Sequence, residues 1–99
     1  MKVEWEKHAQ CDREAIFEYL NREAGTLVAT AVDERFTGMI AILKENPFAG
    51  AKVGNTEKQR KLVVPRFPFI IVYITAKASV RILRILHTSR KIAGQFSQP

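Results

Sequence analysis

The chain has 99 residues, 46% hydrophobic and 26% charged, which is the mix of a globular protein and excludes a disordered or low-complexity one. At 11.3 kDa it has room for one domain, expected to run over residues 1–99. The net charge of +6 is unevenly spread: residues 1–50 carry six Lys/Arg and nine Asp/Glu, whereas residues 51–99 carry ten Lys/Arg and a single acid, Glu57. A half with one carboxylate cannot neutralise itself. It presents a positive field suited to nucleic acid, anionic lipid or an acidic protein, beyond the solubility any charged surface gives.

One cysteine, Cys11, forms no internal disulfide, so a reduced, cytoplasmic protein is expected. The opening Met1-Lys2-Val3-Glu4-Trp5 has no long apolar stretch, so no secretory leader is expected. The longest apolar run, Phe67 to Ile74, falls far short of the roughly 20 residues of a membrane span. No membrane partner is expected.

Lys2 to Trp5 reads as a short β-like start. From about Ala9 to Glu23 the spacing turns helical, with Ile16, Tyr19, Leu20 and Glu23 on one face and Ala9 near it. Asp12 and Glu14 sit early and Arg22 late, as the helix dipole prefers. Gly25 predicts a stop and Thr26 a cap for a second helix over Leu27–Glu45. That helix carries an apolar stripe of Val32, Phe36, Met39, Ile40 and Leu43, with Gly38 placed to allow close packing on the first helix. Asn46-Pro47 ends it, because the residue before proline avoids the α region. Phe48 to Lys58 reads as a loop, with Gly50, Gly54 and Asn55 as turn residues.

Three strands are predicted next: Gln59–Val64, Phe69–Thr75 and Val80–His87, separated by Pro65-Arg66-Phe67-Pro68 and by Ala76–Ser79. Short connections favour antiparallel pairing. The order β-α-α-β-β-β predicts an α+β domain in which a helical hairpin packs on a small antiparallel sheet, with Phe36, Ile40, Ile71 and Tyr73 buried between the layers.

Candidate chemistry is sparse. Two histidines and one cysteine make no zinc-ligand set, so no metal and no cofactor are expected. There is no phosphate loop, nucleophile elbow or dinucleotide fingerprint. Cys11 suits packing better than nucleophilic chemistry. The last strand is the most informative. Strict alternation places Val80, Ile82, Arg84 and Leu86 on one face and Arg81, Leu83, Ile85 and His87 on the other, with Arg90 and Lys91 soon after. Cations around a histidine favour its neutral form, which suits a general base, and they could hold phosphates in a metal-free ribonuclease centre. The alternative is that His87 only ends the strand, and spacing alone favours that. Phe67, Phe69 and Tyr73 lie among basic residues and could stack bases, although Phe69 and Tyr73 alternate as core residues do.

Taken in order, Trp5, Ala9, Asp12-Arg13, Ile16, Tyr19-Leu20, Ile42-Leu43, Asn46-Pro47, Gly50, Arg60-Lys61-Leu62, Pro68-Phe69-Ile70-Ile71-Val72-Tyr73 and Ile82-Leu83-Arg84-Ile85-Leu86-His87 followed by Arg90 span nearly the whole chain. This set resembles the RelE/ParE superfamily of bacterial type II toxins. The resemblance implies a helical hairpin on a small sheet, a toxin of a toxin–antitoxin pair with growth-inhibiting and plasmid-stabilising roles, and an acidic antitoxin bound in a hetero-oligomer.

The superfamily divides by target. RelE-like members cut mRNA in the ribosomal A site, using a basic sheet face, an arginine near the central turn, and often a late tyrosine or histidine. ParE-like members poison DNA gyrase. Here the ending Val80–His87 looks ParE-like, the position matching the nuclease arginine falls near Pro65 with Arg66 out of register, and no tyrosine follows Tyr73, Phe96 being the only late aromatic. The resemblance therefore implies a gyrase poison, with Arg60, Lys61, Arg66, Arg81, Arg84, Arg90 and Lys91 contacting target or antitoxin. The alternative is a ribosome-dependent mRNA endonuclease using His87 with Arg60, Arg81 and Arg90.

Overall fold

The computed structural model describes residues 1–54 and 58–88. Strand β1 (Lys2–Trp5) leads into helices α1 (Lys7–Ala24) and α2 (Thr26–Glu45), followed by strands β2 (Ala51–Lys52), β3 (Gln59–Val63), β4 (Phe69–Thr75) and β5 (Ser79–His87). The strands form one sheet in the order β1-β5-β4-β3-β2. The helical hairpin covers one face of it, so the α+β class and the two-layer arrangement are as expected. Among the described residues no helix is long and apolar enough to cross a membrane.

Two expectations about the sheet need correction. First, it is mixed. β1 pairs in parallel with β5, Lys2 opposite Ser79 through Trp5 opposite Ile82, while the other pairings are antiparallel. Short loops fix the direction of sequential strands, but β1 meets a strand from the far end of the chain, and an apolar pattern carries no direction. Second, the predicted loop holds a fifth strand, the two-residue β2, paired with β3 through Ala51–Lys61 and Lys52–Arg60. So short a strand leaves no periodicity to read.

The helices also differ in detail. The hairpin turns on one residue, Gly25, at φ +95°, a left-handed value that glycine adopts without a Cβ clash. Its N–H donates to the Leu20 carbonyl at 3.0 Å and its own carbonyl accepts from Ala29 at 3.1 Å, ending one helix and starting the next. Thr26 is therefore inside α2 and does not cap it; its hydroxyl bonds Asn21 Oδ1 at 2.6 Å. Gly38 is exposed, and a Cβ there would meet nothing within 4 Å, so it serves no close approach. Asp12 lies beyond the first turn of α1 and has another partner, described below.

The core lies between the layers. Val32, Phe36, Met39 and Leu43 from α2 and Ala9 from α1 meet Phe69, Ile71, Tyr73, Val80, Ile82 and Ile85. Phe36 stands edge-on to Phe69, centroids 5.5 Å apart. Ile40, expected in the core, is only half-buried at its margin, and Tyr19 is exposed. The alternation predicted for the last strand fails midway. The β4–β5 register runs Thr75–Val80 and Tyr73–Ile82, then Val72–Arg84 and Ile71–Ile85, so Leu83 is an extra residue. This bulge reverses the faces beyond it. Val80, Ile82, Ile85 and His87 share the helix-covered face, and Arg81 and Leu86 point away from it.

Phe36 is 1% exposed in a filled core, so Phe36→Ala should cost about 3–5 kcal/mol. Denaturant unfolding of the two proteins measures this directly. An unchanged midpoint would contradict the packing described.

Candidate functional site

Each candidate cation is best described by what it touches. Arg60, on β3 opposite Tyr73, faces the helix side. Its guanidinium donates to the Gly50 carbonyl at 2.7 Å and the Phe48 carbonyl at 3.5 Å, and lies over the Phe48 ring, 4.9 Å from the centroid. Tyr73 completes this lock: its hydroxyl accepts from the Gly50 N–H at 2.9 Å and donates to the Pro47 carbonyl at 2.8 Å. A Cβ on Gly50 would sit 2.5 Å from the Lys61 carbonyl oxygen, so only glycine fits there. Arg60 and Tyr73 thus fasten the segment leaving α2 onto the sheet.

Arg84 is engaged as well. Its Nε and Nη2 donate to the two oxygens of Asp12 at 2.8 and 2.9 Å, and the same carboxylate accepts the Ile85 N–H at 3.0 Å. Asp12 holds the guanidinium above its usual pKa. Next to it, Arg13 reaches the other way, to Asp33 of α2 at 2.6 and 2.9 Å, and covers Trp5. Arg81, on the outward sheet face, bridges Glu6 at 3.2 Å and Glu4 at 3.7 Å. Lys61 and Arg66 are exposed. Arg90 and Lys91 lie outside the described residues, as do Asn55, Glu57 and Phe96.

His87 stands edge-on to Phe69, centroids 5.1 Å apart, on the helix-covered face. Arg81 is six residues earlier on β5, about 20 Å along the strand, and on the opposite face. Arg60 is two strands away from β5 and bound to backbone carbonyls. His87, Arg60 and Arg81 are therefore not brought together around one volume. Of the aromatics proposed for base stacking, Phe69 and Tyr73 are buried, and Phe67 is half-buried beneath Arg35 at 5.6 Å. Among the described residues no group of three His, Cys, Asp or Glu could hold a metal.

Two surfaces remain. The outward sheet face carries half-buried Ile70, Val72, Ile74 and Leu86 with Val63, which is 60% exposed, flanked by Lys61 and Arg81. On the other side, a groove of about 320 Å³ opens between the hairpin and the β4–β5 end of the sheet. Ile16, Leu20, Val28, Val32, Phe67 and Ile85 line it, with Asp12, Tyr19 and His87 bringing polar atoms. Neither surface was identified from sequence. The bulge moves His87 into the groove, and Leu27, 88% exposed beside it, interrupts no stripe that periodicity would report.

The arrangement can be compared with known proteins. The sequence model of a family described as "ParE toxin of type II toxin-antitoxin system, parDE" matches residues 3–92. The chain belongs to the ParE toxin family. It is a toxin of the type II toxin–antitoxin class. The fold agrees: a solved structure described as "Chromosomal ParDE TA system from P. aeruginosa" superposes with a TM-score of 0.78 at 22% identity, covering 90% of this chain and 97% of that one. A comparison with curated protein sequences finds no match. Within this ParE-family chain, Asp12, Arg13, Arg60, Tyr73 and Arg84, which the resemblance rested on, all make contacts that join elements of the fold.

The Tyr73 lock has a pH signature. Burial raises the phenol above its ordinary value, against smaller lowering by the Gly50 N–H and the Arg60 charge. A raised phenol adds stability that is complete below the unfolded value of about 10 and is lost as pH rises through the folded value. Tyr73→Phe should cost about 1–3 kcal/mol near neutrality, because Gly50 N–H and Pro47 C=O lose their partner. It should also flatten the alkaline decline. Denaturant unfolding near neutrality and above about pH 10 checks both effects; equal alkaline slopes in the two proteins would contradict the assignment.

Proposed function

We propose that this ParE-family toxin inhibits DNA gyrase through a protein–protein contact and is neutralised by a cognate antitoxin in a toxin–antitoxin hetero-oligomer. The observation that carries the reading is the dispersal of the described members of the nuclease set, His87, Arg60 and Arg81. A general base must lie within hydrogen-bond reach of the proton it takes, with cations at the same phosphate. Here His87 packs against Phe69 on the covered face, Arg60 is bound by the protein's own carbonyl oxygens, and Arg81 is on the outward face.

The outward sheet face suits a protein surface. It is aliphatic at its centre and basic at its margin, with Val63, Ile70, Val72 and Leu86 beside Lys61 and Arg81. Among the described residues it offers no aromatic platform for bases, which single-stranded RNA recognition uses. The match to a family of ParE toxins and the likeness to a P. aeruginosa ParDE system support a toxin working opposite an antitoxin.

Purified toxin added to gyrase and supercoiled plasmid should accumulate cleaved DNA complexes, and His87→Gln should reduce this only modestly. Ribosomes programmed with mRNA should show no codon-positioned cleavage. The opposite pattern overturns the proposal: ribosome-dependent cleavage that falls about 10²–10⁴-fold in His87→Gln, the usual loss on removing an acid–base group.

A further inference from the structure

We infer that the β3–β4 turn grips the phosphate backbone of duplex DNA through Arg66 and Arg35, and that this DNA is the segment held by gyrase; this rests on the gyrase reading above. The fold itself makes little use of the pair. Arg13, Arg22, Arg81 and Arg84 each bridge a carboxylate, and Arg60 is held by backbone carbonyls. Arg66 alone among the described arginines has a side chain that no ion pair, hydrogen bond or ring contact engages. Arg35, half-buried on α2, donates one N–H to the Pro65 carbonyl at 3.4 Å and lays its guanidinium 5.6 Å from the Phe67 centroid. A guanidinium has donors to spare beyond that one bond. Arg66 lies in the chain between Pro65 and Phe67, the two residues that Arg35 touches, so both cations stand at one turn. No described carboxylate bridges either of them.

The turn holds Arg66 on a fixed backbone. The Val64 N–H donates to the Phe69 carbonyl at 2.9 Å, the Phe69 N–H to the Phe67 carbonyl at 2.8 Å, and the Thr88 N–H to the Pro68 carbonyl at 2.7 Å. Pro65 and Pro68 lock φ on either side. Within this frame Arg66 has φ +72°, the one left-handed value of a non-glycine residue among those described. Glycine or asparagine would take that conformation at lower cost. The sequence keeps an arginine there, and strain of this kind collects at binding sites rather than in stabilising elements. A turn already fixed also spares the cost of ordering a flexible segment on binding.

The chemistry of the pair selects the ligand. The planar fork of a guanidinium matches the oxygens of a phosphate. Base stacking is not on offer, because Phe67, the aromatic of the turn, is half-buried beneath Arg35. The contacts therefore go to the backbone, which positions a protein on DNA without reading its sequence. An arginine that anchors a protein partner sits in a desolvated pocket. Arg66 stands in solvent instead, the setting in which phosphate binding gains from released counterions. A gyrase poison meets such a backbone at its target.

The test compares the full chain with Arg66→Gly, Arg35→Gln and, as a control of equal charge, Lys77→Gln. Lys77 is exposed in the β4–β5 turn, at the other end of the sheet. Glycine accepts φ +72°, so Arg66→Gly should keep or raise the melting midpoint, and it carries the test alone should Arg35→Gln lower it. Fluorescence anisotropy with a labelled DNA duplex, without gyrase, reads the contact directly. Arg66→Gly should lower affinity roughly 10-fold at about 50 mM salt and reduce the slope of log affinity against log salt by about 1, the loss of one phosphate contact. Lys77→Gln should bind as wild type does. With gyrase and supercoiled plasmid, Arg66→Gly should need about 10-fold more toxin to accumulate cleaved complexes, by the same loss, yet bind DNA-free gyrase as wild type does. A wild-type salt slope in Arg66→Gly, or an equal loss in Lys77→Gln, would overturn the inference. So would an equal loss of affinity for DNA-free gyrase, which would move the contact to an acidic protein surface. Wild-type toxin that binds the duplex as expected but neither binds nor poisons gyrase would instead refute the gyrase reading and leave the phosphate contact standing.

Discussion

The carboxylate of Asp12 is the contact on which the architecture turns. β1 is four residues long and β5 nine, so more than half of β5 would face solvent with unpaired backbone groups. An uncovered edge is a template for unwanted pairing. Asp12 accepts the Ile85 N–H and both reaching nitrogens of Arg84, closing that edge from the helix layer. Arg13, one residue on, ties α1 to α2 through Asp33. Two adjacent side chains thus join the first helix to the sheet on one side and to the second helix on the other, and the apolar core fills the space between.

This use of charge changes what the basic half of the chain means. Ten cations against one acid suggest a broad electropositive surface. Three of the ten are held by contacts within the fold: Arg84 by Asp12, Arg81 by Glu4 and Glu6, and Arg60 by backbone carbonyls around Gly50. The acids that pair with Arg81 and Arg84 come from residues 1–50.

The layer order, the helical hairpin and most of the core were legible from periodicity alone, because Val32, Phe36, Met39 and Leu43 recur at helical spacing and Phe69, Ile71 and Tyr73 alternate. The site was less legible, for specific physical reasons. A bulge at Leu83 adds one residue to β5 and reverses every later side chain, so His87 lies with Phe69 rather than with Arg81. The parallel direction of β1 depends on a partner about eighty residues away. Arg60 and Arg84 look like surface cations in sequence, since nothing local reveals that Gly50 and Asp12 will face them. The ordered set of residues shared with the toxin superfamily identified the family from the chain, and the structure shows what those residues do.

The central claim is that the Asp12–Arg84 pair holds the hairpin to the sheet. A double-mutant cycle tests it most directly, using Asp12→Asn, Arg84→Gln and the double variant in denaturant unfolding. Partial solvent exposure tempers the pair, and the account predicts a coupling of about 1–2 kcal/mol, with Asp12→Asn the more damaging single change because it also weakens acceptance of the Ile85 N–H. Single-variant costs that add to within about 0.5 kcal/mol in the double variant would contradict it.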